Sequence, residues 1–365
     1  MQPTPGFLET LALHPALFVA CCVVLGLLIG SFLNVVIYRV PIMMENELRA
    51  ECAELAAEAV PEAEPAAMPS VATMTLYSTA TVMHDAASPQ PAAANDSDVA
   101  IETAAPVEGS AAPEPEAPPA EAPEPAGPPA FNLIVPRSAC PACKKTIRAQ
   151  ENIPVVSWLM LRGKCSACGA PISPRYPIIE LTTGVLSGFV AWHFGFGVTA
   201  LAVLAFTWFL IALTMIDVDT QFLPDQLTYP LLWLGLLVSL SHPVWAPGAE
   251  ALTPRDSIIG AAVGYLTLWG VYWLFKWLTG KEGMGYGDFK LFAALGAWLG
   301  WQMLLPVLVF ASGMGAMVGI VAMIRHRMGR DTQIPFGPFL SVAGWLALMF
   351  GNRVVDLFLN NNLLG

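Results

Sequence analysis

The chain has 365 residues, 55% of them hydrophobic and only 12% charged, and the apolar residues arrive in long blocks rather than at amphipathic spacing. That excludes a soluble globular enzyme and points to a membrane protein. The formal charge of −11 is local: residues 45–130 hold sixteen acids against one base, Arg49, which leaves the remainder at +4, so the acidity belongs to one segment and says little about a site; no nucleic-acid partner is expected.

The first apolar block, 16–37, is long enough to cross roughly 30 Å of hydrocarbon as a helix. No basic stretch precedes it and no small-residue cleavage site ends it, so a retained helix is expected rather than a cleaved signal peptide. With its flank it forms a first region, 1–44. Residues 45–130 are rich in Ala, Pro and Glu and close in a Pro-Glu-Ala run from Pro113 to Pro129. Such a segment buries too little to offset its ordering entropy and is expected to be disordered, with a short helix possible at 45–60.

Residues 131–177 differ in kind. Cys140-Pro-Ala-Cys143 and Cys165-Ser-Ala-Cys168 are separated by twenty-one residues, the spacing of two knuckles that place four thiolates around one tetrahedral zinc. Arg39, Arg137, Lys144, Lys145, Arg148, Arg162, Lys164 and Arg175 all lie between the first and second spans, which places this loop in the cytoplasm. Disulfides are rare there, so a closed, structural and non-catalytic zinc site is expected from Cys140, Cys143, Cys165 and Cys168.

Further apolar blocks follow at 178–194, 198–216, 227–241, 257–278, 289–303, 304–324 and 336–351, making about eight spans in an all-α polytopic membrane protein with the zinc knuckles between the first and second. Lys276 and Lys281 follow the fifth span and Arg325, Arg327 and Arg330 the seventh, so the orientation is consistent and both termini face away from the cytoplasm. The membrane core is then 178–365.

Ionisable groups at membrane depth are costly and ask for a reason. The third span ends in Asp217-Val-Asp219, followed by Pro224-Asp225, and Gly285-Tyr-Gly-Asp288 opens the sixth. Two close carboxylates do not both ionise easily, which suits one to act as acid while the other activates water. Asp225 follows a proline at a helix start, where it compensates the dipole. Asp217 and Asp219 point to nearly opposite sides of a helix, and Asp217, which continues the apolar span, is the one expected to meet Asp288; Asp219 is expected at the interface. Lys290 either biases the pair or snorkels to the lipid surface. Glu151 and Glu180 are left between a role in the zinc region and a structural one.

These features together resemble the bacterial type IV prepilin peptidases: Gly30 to Pro41 (GSFLNVVIYRVP), the paired knuckles, Glu151 to Trp158 (ENIPVVSW), Arg162 to Cys165, Arg175 to Glu180 (RYPIIE), Asp217 with Pro224, and Gly285 to Asp288. The resemblance spans the chain except 45–130. It implies a membrane aspartyl protease of the GxGD type that cuts after the glycine of a short basic leader on type IV prepilin or pseudopilin precursors, at the cytoplasmic face of the bacterial inner membrane, with Asp217 and Asp288 catalytic. It also implies N-methylation of the new terminus from S-adenosylmethionine, associated with the zinc region and with Gly163. No Gly-rich nucleotide fingerprint accompanies that second activity. Two other readings are a peptidase without methyl transfer and a non-enzymatic membrane scaffold of a secretion machine.

Overall fold

The structure, a computed structural model, describes residues 6–58, 131–241, 252–281, 283–325 and 334–359. Among them are ten α-helices: α1 Phe7–Leu13, α2 Pro15–Glu58, α3 Val156–Met160, α4 Arg175–Phe194, α5 Val198–Thr220, α6 Asp225–Ser241, α7 Pro254–Thr279, α8 Tyr286–Leu299, α9 Leu304–Ile324 and α10 Gly337–Leu359. No sheet occurs among the described residues, only the isolated bridges Ala139 with Thr146 and Lys164 with Pro171. The chain divides into two units, Met1–Ala53 with Ala130–Gly365, and Glu54–Pro129.

Every apolar block read from the sequence is a helix, but the count of eight membrane-length spans is not reached. Among the described residues four segments are long and apolar enough to cross a bilayer, Pro15–Ala56, Val198–Thr220, Pro254–Thr279 and Trp301–Ile324; α4, α6, α8 and the Gly337–Gly351 part of α10 are shorter or less apolar. The clearest case is α8. Its 14 residues rise only about 21 Å, it stops at Gly300, which has a positive φ, and Trp301–Met303 form a separate 3₁₀ turn. Phe289 and the run Leu291 to Leu299 are buried or nearly so, with α6, α7, α9 and α10 packed around the helix. A helix apolar on all sides reads in sequence as a span whether lipid or protein surrounds it.

The start of the acidic segment is helical, the alternative the sequence leaves open at 45–60. α2 runs unbroken to Glu58, past the apolar block and through Pro41. Residues 45–58 are rich in Glu, Ala and Leu, strong helix formers, and Glu45 pairs with Arg49 at 2.6 Å one turn on. The expected disorder of 59–130 lies outside the described residues.

Helix pairs approach closely through small residues. Along α2 and α4 the contacts run in opposite directions: a Cβ at Gly30 would meet Glu180 Cα at 2.7 Å, one at Gly184 would meet Leu27, and one at Gly188 would meet Val23. α7 and α8 are likewise antiparallel. Gly260 and Gly296 sit carbonyl against Cα, so a methyl on either would overlap the other's backbone, and a Cβ at Gly264 would lie 2.7 Å from the Phe292 carbonyl oxygen. Among membrane helices such small-residue seams let dispersion and backbone contact hold a pair that burial from water cannot. Gly260→Leu is therefore expected to cost about 1–3 kcal/mol or more and to lower the thermal midpoint in detergent. Gly270→Leu, where a side chain meets nothing within 4 Å, should leave that midpoint in place.

Candidate active site and metal centre

Asp217 lies one turn from the end of α5, where the left-handed Gln221 caps the helix by donating its N–H to the Asp217 carbonyl at 2.8 Å. The residue is 4% exposed, and its Oδ2 accepts the backbone N–H of Gly337, the first residue of α10, at 3.0 Å. Asp217 therefore closes the N-terminus of a helix distant in sequence, a use of an orphan helical donor by a carboxylate. Asp288, 7% exposed, occupies the first turn of α8 behind Gly285, with its own N–H 3.3 Å from the Gly285 carbonyl.

Asp217 and Asp288 flank a common neighbour, the side chain of Leu223. Leu223, 2% exposed, keys the arrangement: it lies in the short link between Thr220, where α5 ends, and Asp225, where α6 begins, and any Cβ at Gly287 would sit 2.7 Å from its Cβ. A Cβ at Gly337 would fall 3.2 Å from Leu223 Cδ1 and 2.6 Å from Asp217 Oδ2. The glycines on either side are thus required by close approach. Gly337, inside Pro335-Phe-Gly-Pro338, was missed from the sequence. Its one signal is a Pro/Gly cluster opening the last apolar block.

The other acids and the lysine are engaged elsewhere. Asp219 receives a two-pronged bond from Arg175, at 2.7 and 2.5 Å. Asp225 opens α6 as expected, and both of its oxygens accept from Lys290 Nζ, at 2.6 and 2.7 Å. Lys290 also lies over the Tyr229 ring at 5.2 Å, so it ties α8 to α6 rather than reaching toward lipid.

The four knuckle thiols converge. Sγ atoms of Cys140, Cys143, Cys165 and Cys168 all lie within 4.8 Å of one another, with Cys140 and Cys168 at 3.9 Å, and all four are free. A tetrahedral ion with metal–sulfur bonds near 2.3 Å asks for sulfur separations of about 3.8 Å, so the donor set fits a structural metal. Each knuckle is the same turn: the N–H of Lys144 returns to the Cys140 carbonyl and that of Gly169 to the Cys165 carbonyl, both with positive φ. The backbone N–H groups of Cys168 and Ala167 draw the Cys165 thiol down to about 6. Cys168, although the Ala170 N–H favours its thiolate, is pushed up to about 11 by burial and by the neighbouring sulfurs.

Glu151 stitches the two knuckles together. It accepts from Ser166 Oγ at 2.5 Å, from the Arg148 N–H at 3.1 Å and from Lys145 Nζ at 3.4 Å, and the Ser166 bond first, with these others, holds its carboxyl down to about 2. Glu180, on α4, instead accepts the Val155 N–H at 2.7 Å, joining the knuckle region to the helix that packs on α2. Arg39 of α2 is buried and donates to the carbonyls of Asn132, at 2.7 Å, and Pro136. Gly163 has φ +68 and lies under Trp158, whose ring a Cβ would meet at 2.9 Å; the indole N–H in turn bonds the Ile172 carbonyl at 3.2 Å.

Two family descriptions match the chain: "Bacterial Peptidase A24 N-terminal domain" over residues 24–194 and "Type IV leader peptidase family" over residues 204–320. Proteins named prepilin leader peptidase/N-methyltransferase are similar over nearly their full lengths. The one from Stutzerimonas stutzeri is 46% identical, covering 96% of this chain and 97% of its own. Those from Pseudomonas aeruginosa and Aeromonas hydrophila are each 42% identical, covering 96% and 95% of this chain and 97% and 96% of their own. No solved structure matches. With these matches running through both the knuckles and the buried aspartates, the chain belongs to the type IV leader peptidase family and is a multi-pass membrane enzyme.

Proposed function

We propose that Asp217 and Asp288 are the carboxyl pair with which this leader peptidase and N-methyltransferase cleaves its substrate. The observation that carries the proposal is that two buried acids, at the end of α5 and in the first turn of α8, stand on either side of Leu223 while Asp219 and Asp225 are taken up by ion pairs. One carboxylate takes a proton from water while the other gives one to the scissile carbonyl oxygen, and the roles of acid and base need one proton between them. The Gly337 N–H on Asp217 orients that carboxylate, and at Gly285, where a Cβ would meet nothing nearer than Asp288 Oδ2 at 4.0 Å, there is room for an extended backbone.

The knuckle region 131–177 serves methyl transfer, and the core 178–365 the peptidase chemistry. We assign zinc as the metal because four thiolates in a closed tetrahedral set suit it, and we assign it a structural role. S-adenosylmethionine is the methyl donor in this reading. Gly163 contributes by holding the tight turn under Trp158. The substrates are type IV prepilin or pseudopilin precursors in the bacterial inner membrane. The basic loops that flank the aspartates support a cytoplasmic active face, where a basic leader waits at the surface and an apolar helix lies in the bilayer.

The test is the mass of a prepilin-like substrate after incubation with the enzyme in liposomes. Removal of the leader is expected without cofactor, with the added mass of a methyl group on the product once S-adenosylmethionine is supplied. Cleavage without any methyl gain would reduce the protein to a peptidase alone, and an uncut substrate would sink the proposal.

A further inference from the structure

The two buried aspartates are each followed, two residues on, by one member of an ion pair. Asp219 follows Asp217 and is gripped by Arg175, the first residue of α4. Lys290 follows Asp288 and grips Asp225, the first residue of α6. Two residues on a helix turn through about 200°, so each ion pair stands behind its aspartate, on the opposite side of the helix, out of reach of a bond being cut at the pair.

Their placement along the chain matters as well. α5 ends at Thr220 and α6 begins at Asp225, so the link that carries Leu223 is clamped just before it by Arg175 with Asp219 and just after it by Lys290 with Asp225. Leu223 is the side chain wedged against Gly287, beside Asp288, and against Gly337, beside Asp217. Arg175 also donates to the Met215 carbonyl at 3.5 Å, near the C-terminal end of α5, where the dipole favours a cation.

Neither pair is buried: the side chains are 38% and 32% exposed in one and 24% and 41% in the other. Ion pairs this wet add little stability. What they do supply is direction, because the guanidinium fork fixes both oxygens of Asp219 and the lysine spans both oxygens of Asp225. We infer that Arg175–Asp219 and Lys290–Asp225 are matched positioning clamps that set the separation of Asp217 and Asp288 through the Leu223 link. Arg175, Asp219, Asp225 and Lys290 are positioning residues, and the inference rests on the reading of Asp217 and Asp288 as the cleaving pair.

The experiment uses the full chain in liposomes with a prepilin-like substrate, following cleavage rate against substrate concentration. Asp219→Asn and Lys290→Met should each lower kcat about tenfold or more with little change in KM, as a misplaced catalytic group does. Exchanging the partners, Arg175→Asp with Asp219→Arg or Lys290→Asp with Asp225→Lys, should restore most of the lost rate. Methyl transfer to an already cleaved peptide should persist in all of them. Wild-type kcat in either single variant, exchanged pairs no better than the singles, or a parallel loss of methyl transfer would each overturn the clamps. Asp217→Asn run alongside separates the two ideas: if it still cleaves, the catalytic pair is wrong, and if it is dead while the clamp variants are normal, only the clamps are.

Discussion

Asparagine in place of Asp217 or of Asp288 is expected to lower leader cleavage by about 10²–10⁴-fold while leaving methyl transfer to a pre-cleaved peptide intact. The substitution suits the question because it is nearly isosteric. An amide oxygen at position 217 can still accept the Gly337 N–H, so the start of α10 keeps its partner and the fold has no new void or clash. What the amide cannot do is take up or release the proton that the reaction passes between the two groups. Both sites are almost closed to solvent, so bulk water has little access to replace the missing group. Substrate binding should change little, and the loss should appear in kcat. Continued cleavage in either variant, with a normal thermal midpoint, would remove that residue from the chemistry.

Serine at Cys140 or Cys168 is the second large effect, and it should fall on the other half of the enzyme. Four thiolates close the site, so three sulfurs and a hydroxyl bind the metal far less tightly, and in a region with hardly any buried apolar side chains metal binding and folding are one equilibrium. Wild-type protein is expected to hold one zinc per chain by elemental measurement, and each variant to lose it. Trypsin should then cut at Lys144 and Lys145, which the first knuckle otherwise folds into a turn. Methyl transfer should vanish, whereas cleavage should fall far less, since Asp217 and Asp288 sit on α5 and α8, which pack against other helices. Undiminished zinc and trypsin resistance in the variants would show that the cluster is not the metal site, and loss of cleavage to the same extent would show that the two halves do not separate.

The sequence states some of this architecture directly and hides some of it for physical reasons. Cysteine spacing is local information: two turns of fixed geometry need only a short stretch each, and Cys140, Cys143, Cys165 and Cys168 could be named as one cluster before any packing was known. Asp217 and Asp288 were legible because an acid bordering an apolar block is costly enough to need a purpose. Helical rotation separates Asp217 from Asp219, the choice between them rested on Asp217 continuing the apolar span, and the structure puts the two on different partners, Gly337 and Arg175. Lys290 was misjudged because its partner, Asp225, is contributed by another helix, and no periodicity within α8 points to it.

Hydropathy by itself determined that the chain is a helical membrane protein and where nearly every helix lies, since apolar length is a property of each segment alone. It did not determine which of those helices meet lipid and which, like α8, are wrapped by their neighbours, because an apolar residue is equally content in either surrounding. Only the tertiary structure decided that, and with it the role of Gly337, the wedge of Leu223 and the partners of Asp219 and Lys290, all of which depend on side chains brought together from distant positions along the chain.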